Sequence, residues 1–201
     1  MIVTELERAL SDIAEVRERL AAAQRFRGYS ALASGISGLF ALVAGAVQAL
    51  LIGTPANPHD GRVYFAIWFV CCAASVAINY GAIAQWFVND ATARERWQTR
   101  TVGLSILPAV ILGAALSFAV LHAQEFSLLP GIWFGCYGVG LFASRLTVPR
   151  AVLPIAGAFV AIGAALMFAP APIALQFWIP ALGFGVAQLL IAVLVARERV
   201  R

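Results

Sequence analysis

Lysine is absent from this chain: all 14 of its Lys and Arg positions are arginine. Charge of either sign is scarce, at 12% of 201 residues against roughly 25% in soluble domains. No Asp, Glu or Arg falls in the middle of any long apolar run. Proton relays, ion-coupled carriers and intramembrane hydrolases place ionisable groups at depth, because those groups carry the charge or the acid-base chemistry. Their absence speaks against all three. Cysteine is limited to Cys71, Cys72 and Cys136, all within apolar runs. An odd number of cysteines in such surroundings gives no disulfide framework, and each reads as a small apolar residue. The alternation of a membrane barrel is missing as well, which excludes spanning strands.

What remains is apolar: 62% of the residues, well above the roughly 45–50% of soluble domains. A helix needs roughly 20 residues, at 1.5 Å each, to cross about 30 Å of hydrocarbon. Six charge-free runs approach or exceed that length, at 30–51, 63–88, 101–123, 128–144, 151–169 and 173–196. The sequence therefore predicts an all-α polytopic membrane protein. Residues 1–28 form an N-terminal cytoplasmic amphipathic helix and 29–201 a six-helix transmembrane domain. The fourth run is short and the second long, a mismatch taken up by tilt or local thinning.

If the runs cross alternately, thirteen arginines fall on one side and Arg62 alone on the other. By the positive-inside rule both termini are then cytoplasmic. The net charge of +4 records membrane orientation, and nucleic acid is not an expected partner. Lysine's replacement by arginine, together with the many alanines, fits a GC-rich bacterial gene and an inner-membrane location. The N-terminus lacks the basic, apolar and small-residue succession of a cleavable signal, so the first run is expected to act as an uncleaved insertion signal.

The leading segment, TELERALSDIAEVRERLAAAQRFR, opens with Thr4 and Glu7 spaced as a capping box. Val3, Leu6, Leu10, Ile13 and Leu20 make a heptad-like stripe interrupted by Arg17 and Gln24. The segment is a docking or self-pairing helix, a helix lying on the bilayer, or a stabilised leader. Its five acidic and five basic residues leave no cationic face for anionic lipid, which favours protein contact through Leu6, Leu10 and Ile13.

GIWFGCYGVG, at 131–140, has the glycine content of a phosphate loop but neither the preceding strand nor an exposed helix N-terminus. On a helix, Gly131, Gly135 and Gly138 form one smooth stripe suited to close approach of a neighbouring helix. IWFVC at 67–71 and IWFGC at 132–136, with LGAAL at 112–116 and IGAAL at 162–166, admit two readings. One is three tandem helical hairpins; the other is an interfacial tryptophan belt with accidental neighbours.

Among the mild polar residues of the runs, Gln48 included, most are expected to bond neighbouring helices. Asn79, Tyr137 and Gln188 are the candidates for lining a small neutral cavity. Both histidines, His59 and His122, fall on the outer side beside Asp60 and Glu125. That is a sparse ligand set for a divalent ion, and neither a metal nor a haem is expected there. No catalytic residue and no cofactor are assigned, and none of the loops exceeds about a dozen residues.

RFRGYS at 25–30, AINYGA at 77–82 and LLPGIWFGCYGVGLFASR at 128–145 resemble an uncharacterised bacterial family of six-span integral membrane proteins. The resemblance implies a regulatory or stress-linked membrane role, since such genes neighbour small winged-helix regulators. It carries over no activity and no functional residue. The expectation is thus a non-enzymatic inner-membrane protein that docks a cytoplasmic partner or a second copy. The alternative is a small transporter or channel for a neutral or lipophilic solute. An enzyme built on the His/Glu rim comes last.

Overall fold

Ser30 starts the first described helix, its Oγ accepting the Ala33 N–H at 3.2 Å and so capping one of the amides that a helix start leaves unpaired. The computed structural model describes residues 13, 30–89, 93–145 and 150–200. Of the N-terminal segment it thus describes Ile13, which lies in helical backbone and is 49% exposed. Leu6 and Leu10 lie outside the described residues.

Helix α1 (Ala31–Leu51) ends where Gly53 takes φ +57, and the Ile52 and Gly53 amides both close onto the Gln48 carbonyl. Glycine accepts this left-handed conformation without the Cβ penalty. Helix α2 (Pro58–Asn89) begins with proline in the first turn behind Asn57. Asn57 Oδ1 accepts the Asp60 amide at 3.0 Å while its Nδ2 donates to Asp60 Oδ2 at 2.8 Å. Helix α3 (Ala93–Ala123) is followed by a 3-10 turn, Phe126–Leu128, and by α4 (Leu129–Ala143). A second 3-10 turn, Arg150–Val152, leads into α5 (Leu153–Leu166); a single turn, α6 (Ala171–Ala174), precedes α7 (Trp178–Val200). The described residues contain no strand.

Five helical segments are long and apolar enough to cross a membrane: α1, α2, Gly103–Ala123 of α3, Phe126–Ala143 and Trp178–Arg197 of α7. The run expected at 151–169 contains a helix of only 14 residues, about 21 Å long. Pro154 sits in its first turn, and Pro170 follows four residues beyond its end, where it restricts Ala169. The run expected at 173–196 likewise begins its helix at Trp178, with Pro180 in the first turn. In the other direction, α2 and α3 outgrow their apolar runs, reaching about 48 and 46 Å.

Two antiparallel pairs form the centre, each joined by glycine. Along α1 and α7, a Cβ added at Gly38 would sit 2.9 Å from the Gly185 carbonyl, and one at Gly45 would run into Ala181. Along α4 and α5, a Cβ at Gly131 would lie 3.0 Å from the Gly163 carbonyl, and one at Gly138 2.8 Å from the Val160 amide nitrogen. Small residues let the backbones approach this closely in lipid, where dispersion contact drives helix association. An aromatic cluster of Phe134, Tyr137, Phe159 and Phe184 fills the space between the pairs, its ring centroids 4.7–5.5 Å apart. Outside this centre, α2 packs on α1 and α3 on α4, while α2 and α3 touch only sparsely. The three-hairpin arrangement is therefore incomplete. Its first two hairpins are in contact, but the closest backbone partners of α5 and α7 are α4 and α1, because the glycine seams match there.

Candidate functional site

Gln48 sits one turn before the end of α1 with none of its surface exposed. Burying an amide in hydrocarbon is costly unless its donors and acceptor are met. Here they are. Nε2 donates to the Leu175 carbonyl at 2.8 Å and to the Gly53 carbonyl at 3.0 Å, and Oε1 accepts the Trp68 indole N–H at 2.8 Å. Each partner is presented by a local structural decision. Gly53 turns its carbonyl back because φ is positive. Leu175 ends the single turn of α6, leaving a carbonyl without a helical successor. Trp68 lies on the buried face of α2, which comprises Gly61, Tyr64, Phe65 and Trp68, all in its first third. One side chain thereby ties α1, its following loop, α2 and the approach to α7.

A second tie joins α3 to α4 at the same end. The Trp133 indole donates to Ser117 Oγ at 2.8 Å, and Ser117 Oγ donates to the Gly113 carbonyl at 2.6 Å. Tyr64 links the two ties: its ring lies nearly parallel to Trp133 with centroids 5.9 Å apart, and tilted to Trp68 at 6.4 Å. Its hydroxyl is fully buried and finds no hydrogen-bond partner among the described residues. This site has donors and acceptors but no nucleophile paired with a base. Its evident capability is to lock the helix ends in register.

The residues singled out from the sequence are distributed differently. Asn79 Nδ2 donates to Ser37 Oγ at 2.7 Å and to the Ser75 carbonyl at 2.9 Å, joining α2 to α1. Gln188 Nε2 donates to Tyr137 Oη at 2.8 Å, joining α7 to α4. These are two contacts between different helix pairs, so the three residues are not brought together around one cavity. His59 pairs with its neighbour Asp60 at 3.5 Å and is 76% exposed; His122 and Glu125 are also exposed. Among the described residues, no group of three or more His, Cys, Asp or Glu side chains is gathered to hold a metal ion.

Of the glycine stripe, Gly131 and Gly138 point at α5, but a Cβ on Gly135 would meet nothing within 4 Å. The stripe winds across α4, so its middle member touches Gly163 with backbone while its side-chain direction opens outward. Residues 1–28 contribute only the exposed, helical Ile13 to the described structure.

Sequence reasoning placed Gln48 among ordinary interhelical polar groups and did not single it out as a hub. The available signal was its position as the one amide in α1, near the helix end that also carries the tryptophan level. Comparison with protein families, with curated proteins and with solved structures finds no match for the chain.

Proposed function

We propose that this chain is a non-enzymatic, multi-pass protein of the bacterial inner membrane. It acts by docking a cytoplasmic partner, or a second copy, through the helix at 1–28, in a regulatory or structural role. The observation that carries this reading is how the bundle spends its polar side chains. Gln48, Asn79, Ser117, Trp133 and Gln188 all bond other protein groups across or along helices. Groups spent on tying helices together leave the working surface to the segments outside the membrane. Of the apolar stripe that the sequence places there, Ile13 is half exposed.

The bundle crosses six times in this proposal, with α5 as a short fifth span beside the five longer ones. Support comes from its antiparallel course beside α4, from Gly131 at one end past Gly138 toward the other. Local thinning or flanking residues take up the deficit in length. Replacing Leu6, Leu10 and Ile13 together by Asn tests the docking role. The protein should still insert, but lose a co-purifying partner or fall in oligomeric mass in mild detergent. An unchanged mass and partner set reduces the segment to a leader.

A further inference from the structure

Helix α4 is flanked by α3 and α5, yet a groove remains open along its outer face. The groove has a volume of about 170 Å³ and presents no polar surface. Gly135, Cys136 and Val139 form its floor, Leu112 and Leu116 of α3 one wall, and Met167, just past α5, the other. Leu112 and Leu116 lie centrally in the apolar window Gly103–Ala123, so the groove opens at hydrocarbon depth. Gly135 keeps the floor low. Unlike Gly131 and Gly138, it is not demanded by contact of its own side-chain direction with α5.

Size decides the occupant. Nine residues line the groove, against the roughly 20–30 residues per side of a stable protein interface. A helix of another copy is about 10–12 Å across with its side chains, so 170 Å³ would hold only about 2 Å of its length. The volume is comparable to the ~150 Å³ apolar cavities that accept a benzene-sized guest, which suits a segment of one hydrocarbon chain. An unfilled groove would forfeit dispersion contacts along both walls, and a flexible chain restores them. We propose that this groove seats one acyl chain of a membrane phospholipid, held by shape alone. The proposal rests on the membrane-spanning reading above.

The test is photolabelling of the full chain in phosphatidylcholine vesicles carrying a trace of phosphatidylcholine with a mid-chain diazirine. Adducts mapped by mass spectrometry should be several-fold denser at Cys136 and Val139 than at Phe69 and Val70, which lie on the open face of α2. Gly135→Leu, whose Cβ would meet no atom within 4 Å, should fill the groove and abolish that excess while leaving the α2 adducts unchanged. Equal labelling of both faces, or an excess that survives Gly135→Leu, overturns the acyl-chain site while keeping the membrane reading. A Cys136 cross-link between copies in place of lipid adducts overturns it in favour of a second copy. Absence of adducts on every helix overturns the membrane reading and the site together.

Discussion

Replacing Gln48 by Leu removes the amide but keeps similar bulk. The Trp68 indole N–H and the Leu175 and Gly53 carbonyls would each lose a partner at 2.8–3.0 Å, in a position closed to solvent. Hydrogen bonds between membrane helices average ~0.6 kcal/mol and reach about 1.7. Three of them place the expected loss at about 2–5 kcal/mol, toward the upper end because the orphaned groups stay buried. Gln48→Glu retains an acceptor for Trp68 but gives up at least one of the two Nε2 donations and buries an ionisable carboxyl against a carbonyl, so its loss should be at least as large as that of Leu. Trp68→Phe removes one bond, and in a double-mutant cycle with Gln48→Leu the two losses should be less than additive, since they share that bond. The assay is reversible unfolding by SDS in mixed micelles, followed by helical circular dichroism. If Gln48→Leu changes stability by less than about 0.5 kcal/mol, below the mean cost of a single such bond, the hub is not what holds this end of the bundle.

Gly138→Leu should cost roughly 1–3 kcal/mol by overpacking, because the atoms it meets include the Ala156 carbonyl and Val160 amide, which cannot swing aside. Gly135→Leu should leave the melting temperature in detergent unchanged or raise it; equal losses at both positions would refute the assigned orientation of α4. Tyr64→Phe should be neutral or stabilising, since it deletes a buried hydroxyl without a described partner, a burden of about 1–3 kcal/mol. A clear loss of stability on that change would mean the hydroxyl is satisfied. Single cysteines in a cysteine-free background count the crossings: Arg145→Cys and Arg197→Cys should both resist a membrane-impermeant thiol reagent in intact cells, while Glu125→Cys reacts. Six crossings put positions 145 and 197 on the same side, so labelling at 197 but not at 145 would show that α5 does not cross.

An all-helical chain with several long apolar helices was legible in the order of residues alone. Long uncharged runs between arginine-bearing segments, without the alternation of strands, point to helices long and apolar enough to cross a membrane. The sequence also marked glycines as places of close approach, since lack of a side chain is a local property. Helix ends were less legible. The fifth run holds a helix of 14 residues, with Pro154 in its first turn and Pro170 beyond its end, and hydropathy does not register that limit. Partners were not legible at all. Gly131, Gly135 and Gly138 look equivalent along the chain, yet the winding of α4 turns two toward α5 and the third into an open groove. Gln48 and Leu175 are 127 positions apart, and only the pairing of α1 with α7 brings the α6 turn onto that amide. Asn79, Tyr137 and Gln188, alike in polarity and burial, were divided between different helix pairs by the same packing. Hydrophobicity fixes how deep each residue sits, because the bilayer responds to transfer energy. Which neighbours it meets at that depth is decided by the matching of surfaces between helices, which is a property of pairs and is written in no single segment.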